Sequence, residues 1–168
     1  MSTDPKDREQ VLKRLSHIRV RHIHEVLLSA VERAVRINHK LAPERRELEN
    51  FIRGLCIIYY FSFLQSNIVK TQWEQIKSPK GTQRSTFKKV DWDKFDLLKY
   101  ARDCFAHNWD GQIFPEDQEN TKYFRSILSR STLTFLSLDN DKIILSDNAT
   151  FECLQVVKSI IEEGDITV

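Results

Sequence analysis

From residue 7 to residue 76 the apolar side chains recur at helical spacing, and this rhythm constrains the fold more than any other feature of the chain. In the first stretch they fall at Leu12, Leu15, Ile18, Ile23, Val26, Leu27, Ala30, Val31, Ala34 and Ile37. Steps of three and four residues place them on one side of a helix, with charged residues on the other. The spacing predicts one long amphipathic helix over 7–40, broken by Leu41-Ala42-Pro43. Pro43 suits the first position of a second helix, where a missing N–H costs nothing. That helix is expected to run to about Ile76 through Phe51, Ile52, Leu55, Cys56, Ile58, Tyr59, Phe63 and Ile68. Being apolar nearly all round, it reads as the central helix, touching both the core and a second protomer.

Beyond it, Ser78 to Lys89 reads as a basic loop containing Pro79 and Gly81. Asp91 is placed to cap a third helix that ends near Asn108, with Phe95, Leu98, Ala101, Cys104 and Phe105 as its core stripe. Pro115-Glu116-Asp117 opens a shorter fourth helix to about Ser129. Thr132–Leu138 and Lys142–Ser146 are β-rich runs around Asp139-Asn140-Asp141, a hairpin signal. Asn148 or Asp147 caps a last helix through Glu163, ended by Gly164. With only four Gly and four Pro, the 168 residues are expected to form a single all-α domain, residues 1–168. It is a helical bundle with two long N-terminal helices and a small β-hairpin before the last helix.

A net charge of +2 is too small for a global field to demand a nucleic-acid partner, so any such contact must come from local clusters. Cys56, Cys104 and Cys153 form no CxxC pair, and the N-terminal run Met1 to Asp7 is polar; both suggest a cytoplasmic protein with reduced thiols. The longest uncharged apolar run, Leu55 to Leu64, is far short of the roughly 20 residues a membrane span needs. No membrane partner is expected.

The stretch with most chemistry is Leu97-Leu98-Lys99-Tyr100-Ala101-Arg102-Asp103-Cys104-Phe105-Ala106-His107-Asn108-Trp109-Asp110-Gly111. Arg can hold a phosphate by two parallel charge-assisted hydrogen bonds, and His can move a proton near neutral pH. Asp103 lies one helical turn before His107, where an acid can orient an imidazole. Arg-x4-His occurs a second time, at Arg19 to His24, but only Arg102 is followed by an acid, and only this match ends at a helix stop. Arg102 and His107 are five residues apart, about 140° around an ideal helix. One straight helix therefore cannot direct both at one phosphate, and a second chain or a bend at the helix end is needed to complete the site.

Arg102-Asp103-Cys104-Phe105-Ala106-His107 resembles the motif of the HEPN family (higher eukaryotes and prokaryotes nucleotide-binding). That motif has Arg, a polar residue, three further residues and His at the end of a helix in an all-α bundle. The resemblance covers about fifteen residues and is architectural elsewhere. It implies a metal-independent endoribonuclease, a homodimer with a composite active site, acting in a toxin–antitoxin or antiviral system. Arg102, His107 and Asp103 would be its catalytic group. The alternative it leaves is a non-catalytic HEPN module that binds nucleotide or RNA, or pairs with an antitoxin or a nucleotidyltransferase.

Weaker signals are read both ways. Arg19 and Arg21, within a basic run from Lys13 to His24, form either an RNA-backbone track or a solvated face. Lys80, Arg84, Lys88 and Lys89, interleaved with Phe87 and Trp92, either guide single-stranded RNA by charge and stacking or belong to an ordinary exposed loop. Trp109 either stacks a base or covers the helix end. His22-Ile23-His24 is a poor chelate on a helix, and no metal site or cofactor is expected. The chain has no GxxxxGK, GxGxxG or nucleophile-elbow sequence, which leaves P-loop, dinucleotide-binding and serine-hydrolase functions without support.

Overall fold

The computed structural model of the protein describes residues 4–17 and 20–166, among them seven α-helices and one antiparallel two-stranded ribbon. The chain is of the all-α class. The helix expected over 7–40 is described as α1 (Pro5–His17) and α2 (Val20–Ile37), with residues 18 and 19 outside the described residues. It stops at Ile37 because Asn38 turns extended, and its side chain accepts from the Lys40 N–H to cap a short 3-10 turn at His39–Leu41. Pro43 lies in the turn that follows, and α3 (Arg45–Asn67) begins just after it.

α3 is the central helix, packed against α2, α5 (Trp92–His107), α7 (Ala149–Glu163) and the ribbon. Ile57, Phe61 and Leu64 are wholly buried on it. Each such side chain stabilises the fold by about 1.5–3 kcal/mol. Gly54 lets α5 approach: a Cβ there would lie 2.6 Å from ring carbons of Phe105.

α3 does not continue to Ile76 as its periodicity predicts. It ends at Asn67, Ile68 turns extended, and α4 (Lys70–Ile76) starts afresh. Ile68 forms an antiparallel bridge with Ile166, and the Val69 N–H donates to the Asp165 carbonyl. A β-branched pair with an extended partner favours strand pairing over one more helical turn, so a tertiary contact overrides the local pattern.

α5 follows its sequence signals closely. The Asp91 side chain accepts from the Lys94 N–H, and Asn108 closes the helix. Its stripe of Phe95, Leu98, Ala101, Cys104 and Phe105 is buried. α6 (Glu119–Arg130) starts later than Pro115, after a turn. β1 (Leu136–Asp139) and β2 (Lys142–Leu145) pair in register around Asn140 and Asp141, both at positive φ (49° and 60°), the signature of a two-residue type I′ turn. The buried Asn50 of α3 completes β2, its amide donating to the Ile143 carbonyl (2.7 Å) and accepting from the Leu145 N–H (2.8 Å). One side chain thus satisfies two backbone groups on the edge of β2 that faces away from β1.

The basic loop between α4 and α5 is held by Arg84, which is buried. Its guanidinium makes two parallel hydrogen bonds to Asp96 (2.7 and 2.6 Å), and its Nε donates to the Ile76 carbonyl (2.9 Å). It lies 4.5 Å from the Trp92 ring centroid, and the Tyr123 hydroxyl also donates to Asp96. Removing one partner of a buried pair strands the other, at a cost of about 3–5 kcal/mol. Asp96→Ala should lower the unfolding free energy by that amount in urea titration. A loss below about 1 kcal/mol, the scale of an exposed pair, would contradict the structural role given to Arg84.

Candidate functional site

Arg102, Asp103 and His107 all lie on the last two turns of α5. Arg102 is partly buried and lines a cleft of about 400 Å³ between α3, α4, α5 and α6, together with Asp103. His107 is not among the lining residues of this cleft. It is exposed at the end of the helix, its ring edge-on to Phe114 at 5.9 Å. Within one chain the two residues therefore face different surroundings, as their helical spacing requires.

Asp103 does not serve His107 as expected. It pairs with Lys99 one turn earlier (3.1 Å) and lies 3.1 Å from the Arg102 Nε, and no ion pair or hydrogen bond joins it to His107. Lys99 and His107 stand at the two i, i+4 positions on either side of Asp103, and the carboxylate pairs with the ammonium. The Arg102 Nε is buried, and although Asp103 is close, their geometry does not make a hydrogen bond. The guanidinium retains donor capacity for an incoming oxyanion.

Two basic residues that sequence reasoning passed over, Lys77 and Lys99, line the cleft beside Arg102. Of the carboxylates there, Asp96 is neutralised by Arg84, which leaves Asp103 against Lys99 and Arg102. Lys77 also pairs with Glu74. The Lys99–Asp103 spacing is visible in the sequence. That α4 brings Lys77 to the same place is not, because the break at Ile68 depends on its pairing with the distant Ile166.

The turn after His107 is tightly built. Asn108 donates to the Gln112 carbonyl (2.9 Å), and the Gly111 N–H donates to the Asn108 carbonyl (2.8 Å). Gly111 has φ +75°, a conformation few other residues adopt, and its carbonyl accepts from the Ile143 N–H. Lys142 holds Asp110 at 2.8 Å, and this bond keeps the Asp110 carboxyl below the usual carboxylate range. Trp109 projects from this turn, 72% exposed, with its ring 5.8 Å from Phe51 of α3. It remains open to a stacking partner.

The loop candidates are corrected or dispersed. Arg84 is a buried structural residue, and Phe87 is buried and edge-on to Trp92, whose indole N–H donates to the Arg84 carbonyl. Trp92, partly buried, lies over the Arg84 guanidinium, and Phe87 packs against Trp92, so neither ring is a free stacking platform. Lys80 is exposed and paired with Glu119. Lys88 and Lys89 are tied by their backbone N–H groups to Glu163 (3.1 and 2.9 Å), far along the chain from α5's end. Arg19 and the side chain of Arg21 lie outside the described residues. Among the described residues no group of three or more His, Cys, Asp and Glu is arranged to hold a metal ion, and no helix is long and apolar enough to cross a membrane.

No family model, curated protein or solved structure matches the chain. Its class is therefore defined by its own geometry: an all-α protein with a cationic cleft on one side of its fifth helix and an exposed His–Trp pair at that helix's end.

Cys104, inside the motif, is wholly buried, and burial pushes its thiol up to about 12; Cys56 is pushed up to about 11 and Cys153 upward as well. A thiol held protonated is a poor nucleophile. Native protein at pH 8 should show no fast reaction with a disulfide reagent, and denaturation in guanidinium should release all three thiols. Rapid titration of Cys104 in the native state would contradict this burial.

Proposed function

We propose that the chain is a HEPN-like, metal-independent endoribonuclease acting as a homodimer. The observation that carries the reading is the Arg102-to-His107 motif at the close of a regular helix, with Arg102 in a cationic cleft and His107 open to solvent. A second chain supplies what one helix cannot. Two copies of α5 meeting across a two-fold axis would bring two Arg102 and two His107 together. Leu48, Phe51, Leu55 and Tyr59 run along one face of α3, and all but the half-buried Phe51 are exposed. Trp109 packs onto this stripe through Phe51, which gives such a dimer an apolar surface next to His107.

In this mechanism His107 takes the proton from a ribose 2′-OH. The 2′-oxygen attacks the adjacent phosphorus, and the bond to the 5′-oxygen breaks. Arg102 holds the phosphate and stabilises the charge that builds on its oxygens. The partner's His107 returns a proton to the departing 5′-oxygen, leaving a 2′,3′-cyclic phosphate. Asp103 acts as a positioning residue for Arg102, since it lies against that side chain and not against His107. The 2′-OH requirement restricts the substrate to RNA. A role as a toxin or antiviral effector restrained by an antitoxin is the biological setting the same resemblance implies, and the three cysteines without a CxxC pair support a cytoplasmic location.

A second reading keeps the fold and removes the reaction: a HEPN-like module that binds nucleotide or RNA, or docks an antitoxin or nucleotidyltransferase. The observation in its favour is that Asp103 is engaged by Lys99 and Arg102, so that it does not fix the ring tautomer of His107. End-labelled RNA incubated in EDTA separates the two. Wild type should give fragments with 2′,3′-cyclic phosphate ends, and Arg102→Ala and His107→Ala should each lose at least about a hundredfold in rate, with Asp103→Ala milder. Cleavage by purified His107→Ala protein at the wild-type rate, or cleavage only with magnesium, would overturn the mechanism. Binding of RNA without product by wild type and His107→Ala alike would favour the second reading.

A further inference from the structure

The cleft beside Arg102 is larger than a phosphate and carries more chemistry than a phosphate needs. Its volume of about 400 Å³ lies at the lower end of the range for small-ligand sites, which suits one nucleotide unit. The α5 wall supplies two cations. The Arg102 guanidinium makes no hydrogen bond among the described residues, and the Lys99 ammonium uses one of its three donors on Asp103.

The other walls add an aromatic ring and neutral polar groups. Tyr123 of α6 is half-buried, and its hydroxyl donates to Asp96 (3.1 Å). A ring held by its polar end is a preorganised stacking surface. Gln65 near the end of α3 and Asn120 in the first turn of α6 are exposed on the cleft rim. Their side-chain amides form no hydrogen bond among the described residues, so each keeps both a donor and an acceptor. Lys77 follows Trp73 by one turn at the end of α4, and its ammonium, paired with Glu74, has donors to spare. A flat polar ring joined to an anion satisfies all of these groups together, and a nucleotide has that chemistry.

The balance of donors and acceptors narrows the base. Lys77, Lys99 and Arg102 can only donate. Of the acceptors, Asp96 already takes two hydrogen bonds from Arg84 and one from Tyr123, and Asp103 lies against Lys99 and Arg102. Surplus donors favour a base that offers a keto oxygen and disfavour one that offers an exocyclic amino group. Guanine and uracil place a ring N–H beside that oxygen, and one side-chain amide can meet such a pair by accepting and donating.

We propose that the cleft seats a single nucleotide with a keto base, guanine or uracil, and so selects where RNA is cut; this rests on the ribonuclease reading above. The phosphate lies at Arg102 and Lys99, the ring on Tyr123 and the keto oxygen toward Lys77, which sets the preference. Gln65 and Asn120 receive the neighbouring ring N–H.

The test titrates the full chain with the 3′-monophosphates of guanosine, uridine, adenosine and cytidine, following the 1H–15N signals of the Gln65 and Asn120 side-chain amides. The guanosine and uridine nucleotides should shift these signals saturably. They should bind about tenfold tighter than the other two, the worth of one hydrogen bond to a charged group. Lys77→Met keeps the length of the side chain and removes its donors, and it should bring the four affinities within about twofold. Lys77→Gln, whose amide can serve either kind of base, should do the same and stands in if Lys77→Met does not fold. Equal affinity of wild type for all four nucleotides would overturn the proposal. So would absence of saturable shifts at these amides in the millimolar range, or an unchanged preference in a folded Lys77 variant. Binding needs no turnover, so the two readings fail separately. A keto preference in a chain that leaves RNA intact in EDTA supports the subsite and counts against the ribonuclease; cleavage without that preference does the reverse.

Discussion

Phe105 is the side chain on which the geometry of the candidate site depends. Two glycines close on it from different directions: Gly54 in the middle of α3 and Gly111 in the turn after α5. A Cβ at either position would come within 2.6–2.7 Å of its ring carbons, so neither helix nor turn could sit where it does with any larger residue. A glycine in a helix interior costs about 0.5–1 kcal/mol, and that cost is offset by a close helix–helix contact that buries an aromatic ring. Since Phe105 lies between Arg102 and His107, this contact fixes the direction in which each of them leaves the helix.

The second anchor is the Arg84–Asp96 pair, which ties the loop before α5 to the helix itself. Asp96 lines the cationic cleft, yet its charge is already spent on Arg84. Glu74 likewise offsets Lys77, so the charge of the cleft is set by Lys99, Arg102 and Asp103. A buried arginine in this way shapes the electrostatics of a site it does not enter.

Features governed by neighbours in the chain were legible in the sequence. Asp91 and Asn108 mark the ends of α5, Asn140-Asp141 mark the hairpin turn, and Gly164 marks the end of α7. Gly164 has an ordinary negative φ, so its glycine is required for space and not for conformation: a Cβ would meet Gln72 and the Ile160 carbonyl at 2.8 Å. Features decided by distant partners were not legible. Ile68 leaves the helix to pair with Ile166, Arg84 leaves the surface to meet Asp96, and Lys77 reaches the cleft because α4 turns away from α3. The choice of Asp103 between Lys99 and His107 was local, and it fell to Lys99.

The regular course of α5 makes the central claim a geometric one: Arg102 and His107 of one chain diverge, so the proposed reaction needs two chains. The most direct test is the rate of RNA cleavage per chain in EDTA across a dilution series, with the monomer and dimer fractions read by sedimentation in the same samples. The account predicts a rate per chain that rises in step with the dimer fraction and vanishes in the monomer. An undiminished rate per chain where the protein sediments as a monomer would contradict it.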